Sequence, residues 1–118
     1  MITFLYFKDL SKALYFYKDI MGFKLEIDQE WSKILKINEN AYLGLVDETR
    51  GFHRAYSQKP VIICFVVPDV DHWYLYLKDK EVNILNKPTN SEELNIRMLL
   101  LQDPEGYIIE FQTPLSIK

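Results

Sequence analysis

The chain repeats itself. With residue i set beside residue i+60, Ile2 falls on Ile62, Asp9 on Asp69, Lys18 on Lys78 and Asp19 on Asp79. Apolar positions agree as well: Leu5 with Phe65, Phe7 with Val67, Leu10 with Val70, Leu14 with Tyr74, Tyr17 with Leu77. A period of this length restricts the chain to two copies of one supersecondary unit.

Each copy opens with a short β-favouring apolar run, Ile2 to Phe7 and then Val61 to Val67. Each run leads to an aspartate suited to cap a helix, Asp9 or Asp69. A stripe at helical spacing follows: Leu10, Ala13, Leu14, Tyr17, Ile20 and Met21 in the first copy, Val70, Trp73, Tyr74 and Leu77 in the second. Gly22 is placed to stop the first helix in a left-handed turn; Val82 holds that position in the second copy. Three short strands are expected next. In the first copy they cover about Phe23 to Asp28, Trp31 to Ile37 and Ala41 to Asp47, with Asn38-Glu39-Asn40 as a turn. In the second they cover about Val82 to Leu85, Ile96 to Gln102 and Tyr107 to Gln112, the last two joined by the turn Asp103-Pro104-Glu105-Gly106. The polar stretch Glu48 to Pro60 and the segment Pro88 to Leu94 read as loops.

The expected fold is therefore α+β, with two tandem βαβββ modules, about 1–47 and 61–118, in a single domain of 118 residues. One module alone is marginal, because its sheet has a helix on one face and nothing on the other. Two modules side by side curl their sheets into a cup, which is where a pocket is expected. The 48% hydrophobic and 14% aromatic content excludes a disordered chain. A net charge of −3 without a basic run offers nucleic acid no positive face. No apolar run approaches the roughly 20 residues of a membrane span, and the opening residues lack the pattern of a signal peptide. A single cysteine, Cys64, suits a reducing compartment, so the chain reads as cytoplasmic, with no membrane partner.

Phe4-Leu5-Tyr6-Phe7-Lys8-Asp9-Leu10, Phe16-Tyr17-Lys18-Asp19, Met21-Gly22-Phe23 and the closing Asp103-Pro104-Glu105-Gly106-Tyr107-Ile108-Ile109-Glu110-Phe111 resemble the vicinal-oxygen-chelate superfamily. That group contains glyoxalase I, bleomycin- and fosfomycin-resistance proteins and extradiol dioxygenases. The resemblance covers nearly the whole chain. It implies paired βαβββ modules, a cup-shaped mixed sheet with flanking helices, and a homodimer. In metal-using members it also implies four inward ligands, one from the first and one from the last strand of each module. The matching positions here are Ile2, Gly44, Ile62 and Glu110. Isoleucine and glycine side chains supply no donor atom, so no cofactor is expected, and a divalent metal least of all. Bleomycin-resistance members, which sequester a ligand without a metal, are the nearer likeness in that respect.

Glu110 reads as a general acid or base, a ligand anchor or a metal remnant; a plain carboxylate paired with Arg97 inside the cup is the alternative, since a lone buried charge is costly. Strand parity puts Ile2, Phe4, Tyr6, Tyr42, Ile62, Cys64 and Ile108 on the cup side, with Trp31 at its rim. Such an aromatic lining suits a planar ligand, or simply fills a core. Cys64 reads as a small buried hydrophobe within that lining, with no activating neighbour in sequence. The candidate ligand-binding set is thus Tyr6, Trp31, Tyr42, Cys64, Arg97 and Glu110. His53, beside Arg54 and Tyr56, sits in a loop placed to cover a pocket mouth; His72 points away from the helix stripe. The expected function is metal-independent binding of a small organic molecule. The alternatives are a lactoylglutathione-lyase-like or other carbonyl isomerase using Glu110, and a dimeric interaction module without a ligand.

Overall fold

The computed structural model describes residues 1–115; the last positions of the expected second module, 116–118, lie outside them. The chain forms two compact units, Met1–Gln58 and Lys59–Lys118.

Unit 1 holds β1 (Ile2–Phe7), a helix, β2 (Lys24–Asp28), β3 (Ser32–Asn38) and β4 (Ala41–Asp47). Its sheet runs β1-β4-β3-β2, with β1 parallel to β4 and the other pairs antiparallel. The Asp9 carboxylate accepts the Lys12 N–H at 3.0 Å and so starts the helix, a cap worth about 1 kcal/mol. The helix, α1, is regular over Leu10–Leu14 and then widens over Tyr15–Ile20. There the Met21 N–H reaches back to the Phe16 carbonyl, one residue farther than in an α-helix. Gly22, at φ 84°, ends it as expected. The buried stripe is Ala13, Phe16, Tyr17, Ile20 and Met21. Phe16 is thus a core residue, and Leu10 and Leu14, expected inside, are half-buried. This stripe covers one face of the sheet, where Leu5, Phe7, Leu35, Leu43 and Leu45 are buried. Each such side chain contributes roughly 1.5–3 kcal/mol by leaving water.

Unit 2 repeats the plan with β5 (Ile62–Val66), α2 (Val70–Leu77), β6 (Asn83–Ile84), β7 (Thr89–Ser91), β8 (Ile96–Gln102) and β9 (Ile108–Pro114). The sheet order is β5-β9-β8-β6, and β7 also pairs with β8. Asp69 caps α2 through the His72 N–H at 3.2 Å. Helix α2 packs on β8 and β9, with Trp73 stacked on Phe111 at 4.7 Å between ring centroids. Leu77, Leu99, Leu101, Ile109 and Phe111 are fully buried on that face. Two expectations fail here. The strand expected over Val82 to Leu85 is only two residues long, and the expected loop from Pro88 to Leu94 contains β7. The edge is broken because the Asn86 side chain, not a backbone carbonyl, accepts the Leu100 N–H at 2.7 Å. Pro88 follows, with no N–H to donate, and pairing resumes at Thr89 opposite Met98.

The Asp103 to Gly106 turn forms as expected. Asp103 is buried, and its Oδ1 accepts the N–H groups of Glu105, Gly106 and Tyr107, each at 2.9 Å. Gly106 takes φ 104°, which a side chain would strain. The repeat is visible in the registers: Ile2 pairs with Tyr42 and Phe4 with Gly44 in unit 1, Ile62 with Ile108 and Cys64 with Glu110 in unit 2.

Candidate functional site

Each sheet has a second face, opposite the one on which its own unit's helix packs. Residues alternate across a strand, so the registers give its members. In unit 1 they are Ile2, Phe4 and Tyr6 on β1, Tyr42, Gly44 and Val46 on β4, and Ser32, Ile34 and Lys36 on β3. In unit 2 they are Ile62, Cys64 and Val66 on β5, Ile108, Glu110 and Gln112 on β9, and Met98, Leu100 and Gln102 on β8.

The face of unit 1 is aromatic. Phe4 lies across Gly44 so closely that a Cβ at residue 44 would sit 2.3 Å from Phe4 Cδ1 and 2.5 Å from Cε1. Glycine is required there by the neighbouring ring, not by its own backbone. The residues after Asp47 fold back onto this unit. The Asp47 carboxylate accepts from the Thr49 N–H and hydroxyl at 2.9 and 2.7 Å, which holds its pKa below the ordinary value. Gly51 then lies against Val46 and Tyr6, where a Cβ would approach their side chains to 2.6 and 2.7 Å. His53 meets the Tyr6 ring edge-on at 5.4 Å, and the Arg50 guanidinium sits over Trp31 at 5.6 Å. Tyr6 and His53 therefore meet at one end of this face, and Tyr42 belongs to the other end beside Ile2. Trp31, expected at the rim, precedes Ser32 and lies opposite Asp47, so strand alternation does not bring it to this face. Arg54 does not face it: its Nη1 donates to the carbonyl of Glu48 at 3.0 Å. The loop contact of Gly51 and Arg50 was not legible in sequence; only a glycine within a polar stretch hinted at a close approach.

The face of unit 2 is apolar around one carboxylate. Glu110 is half-buried, with Cys64 and Leu100 opposite it on the neighbouring strands. Glu110 Oε2 accepts from Gln112 Nε2 at 2.8 Å, and the Cys64 thiol donates to the same oxygen at 3.7 Å. Partial burial, then the Glu110 charge and its hydrogen bond, push the Cys64 thiol up to about 11. The thiol therefore stays protonated and a poor nucleophile at neutral pH. Cys64 is exposed, not the buried hydrophobe expected from its parity: it lies on the face opposite its own unit's helix.

Arg97 corrects a second expectation. It is not the partner of Glu110. The hairpin register puts Leu100 opposite Glu110 and Arg97 opposite Thr113, on the helix-covered face. There Arg97 forms an ion pair with Asp71 of α2 and donates from Nη1 to Asn90 at 2.9 Å. His72 is exposed on the same helix, as expected.

A divalent metal is tested by the donor set. Of Ile2, Gly44, Ile62 and Glu110, only Glu110 has a side chain with a ligating atom. Among the described residues no three of His, Cys, Asp and Glu group as ligands. Those four positions thus supply one ligating side chain between them. Among the described residues, no helix is long and apolar enough to cross a membrane.

The family model of the Glyoxalase/Bleomycin resistance protein/Dioxygenase superfamily matches residues 2–111. The uncharacterized protein YraH of Bacillus subtilis is 30% identical over 112 residues, spanning 86% of this chain and 88% of YraH. The metallothiol transferase FosB of Staphylococcus epidermidis is 26% identical over 107 residues, spanning 89% of this chain and 76% of FosB. Among solved structures, TnmS3, an antibiotic binding protein from Streptomyces, matches with a TM-score of 0.78 over 96% of this chain and 93% of its own, at 23% identity.

Proposed function

The chain belongs to the Glyoxalase/Bleomycin resistance protein/Dioxygenase superfamily, and from that premise we propose that it binds a small organic molecule without a metal ion. The observation that carries this reading is the Phe4 ring across Gly44. A donor side chain at residue 44 would need the space the ring fills, so one expected ligand position is closed by packing as well as by chemistry. The aromatic face of Phe4, Tyr6 and Tyr42 offers stacking area instead. Glu110, Gln112 and Cys64 offer polar contacts of the kind that orient a ligand within apolar surroundings. The fold likeness to TnmS3, an antibiotic binding protein, is in keeping with such a role. By the same family likeness the protein is a homodimer, which light scattering at micromolar concentration tests, and works in the cytoplasm.

The deciding experiment is metal content together with thermal melts against divalent ions and planar aromatic compounds. A ligand that binds only the folded state raises the melting temperature with the logarithm of its concentration. Shifts with aromatic compounds and none with zinc, nickel or manganese are expected. A stoichiometric shift with any of those ions would overturn the reading.

A second reading is enzymatic, with Glu110 as general acid or base. The likeness to FosB, a transferase by name, favours it. Turnover of a carbonyl or thiol-reactive substrate that disappears in Glu110→Gln would support it, and full activity in that variant would exclude Glu110 as the acting group.

A further inference from the structure

Among the described residues, the carboxylate of Glu110 accepts hydrogen bonds on one oxygen only. Both of its protein contacts, from Gln112 Nε2 and from Cys64 Sγ, end on Oε2. Among the described residues no hydrogen bond reaches Oε1, and no lysine or arginine forms an ion pair with Glu110. Arg97, the expected cation, is taken by Asp71 and Asn90 on the other side of the sheet. Lys59 is taken by Glu105 at 3.2 Å. A half-buried negative charge therefore sits in a field of Cys64, Leu100 and Ile108, flanked by Ile62 and Val66, which are 58% and 66% exposed.

We propose that this face receives the positive end of the ligand: a small organic ammonium ion with an apolar body, its N–H groups directed to Glu110 Oε1. The proposal rests on the small-molecule reading and names the ligand class. The physical case is charge complementarity. A carboxylate in partly desolvated surroundings gains most from a cation that also covers the apolar neighbours, because the pair then interacts in a lower dielectric than water. Gln112 spends its amide nitrogen on Glu110, which leaves its carbonyl oxygen as a second acceptor for an ammonium N–H. The protonated Cys64 thiol adds no second negative charge. A hard metal ion is a poorer occupant, since it demands more oxygen ligands than one carboxylate and one amide supply. An anionic ligand would be repelled.

The test uses the full chain and three probes of one shape: 1-naphthylmethylammonium, 1-naphthylmethanol and 1-naphthoate. Affinities are read by amide chemical-shift titration, which also reports whether the shifts centre on Cys64, Leu100 and Glu110. The ammonium compound is expected to bind about tenfold tighter than the alcohol, the difference a charge-assisted hydrogen bond makes. Naphthoate is expected to bind weakest. In Glu110→Gln, with folding checked by near-ultraviolet circular dichroism, the preference for the ammonium compound over the alcohol should vanish. Equal binding of ammonium and alcohol by the wild-type chain overturns the proposal and leaves the small-molecule reading standing. Failure of all three probes to bind overturns both. A dimer that falls apart in Ile62→Lys would assign the face to a second copy of the chain, which also overturns it.

Discussion

Asp71 and Arg97 meet through two parallel hydrogen bonds: Nε donates to Oδ2 and Nη2 to Oδ1, each at 2.8 Å. The guanidinium holds the Asp71 carboxyl below the usual carboxylate range, first by hydrogen bonding and further by charge. Because the folded pKa is the lower one, the stabilisation is complete above the unfolded value. It is lost as pH falls through the folded value. The pair is well exposed, so its contribution is below about 1 kcal/mol. Urea midpoints for the wild type and Asp71→Asn should differ slightly at neutral pH and converge well below the ordinary carboxyl value of about 3.9. A difference that persists unchanged in acid would show that the ion pair is not its source.

Gly44→Ala should destabilise unit 1 by roughly 1–3 kcal/mol, the usual cost of overpacking. The contact responsible is the 2.3 Å approach to Phe4 Cδ1. In a Phe4→Ala background the same substitution should cost far less. Denaturant titrations of the two single variants and the double variant measure this coupling directly. Additive costs would mean that the backbone of β4, not the ring, sets the requirement for glycine.

Cys64 should react slowly with iodoacetamide at neutral pH, its rate still climbing toward pH 11, where the thiol is pushed to ionise. Removing the neighbouring charge in Glu110→Gln lowers that pKa, so alkylation at mildly alkaline pH should speed up several-fold. An unchanged rate in the variant would show that partial burial alone governs the thiol.

Asp103→Ala leaves the backbone N–H groups of Glu105, Gly106 and Tyr107 without their shared acceptor. A loss of about 3 kcal/mol or more is expected, the scale of hydrogen bonds to a buried charge. Asp103→Asn keeps an acceptor oxygen and should lose about 1 kcal/mol. Thermal melts of the two variants at one pH decide it; equal losses would point to the charge as the whole effect.

The i to i+60 match carried most of the architecture. It placed both opening strands and both caps, whereas the positions Ile2, Gly44, Ile62 and Glu110 follow from the family resemblance, and the parallel pairing of each opening strand with the last of its unit is a finding of the structure. What it missed has local causes. Phe16 joins the core where α1 widens, and that widening has no signature in the side chains. The break at Asn86 is a side chain standing in for a backbone acceptor, which spacing alone does not reveal. Arg97 was misplaced because its side of the sheet depends on the register of the β8–β9 turn; pairing Gln102 with Ile108 puts Arg97 opposite Thr113. The parity of Cys64 gives its side of the sheet and not whether that side is covered, and the thiol is exposed.

The parallel pairing within each unit has a consequence for how the protein is made. Among the described residues, strand β1 pairs only with β4, and β5 only with β9, the last described strand of its unit. The antiparallel neighbours β3–β4 and β8–β9 close across short turns and form early, since loop closure over few residues costs least. On the ribosome, each opening strand must therefore wait, its apolar side uncovered, until its own unit has almost wholly emerged. Substitutions in the β8–β9 hairpin should slow refolding, whereas those in β5 should mainly hasten unfolding; stopped-flow rates for Leu99→Ala and Ile63→Val give the comparison.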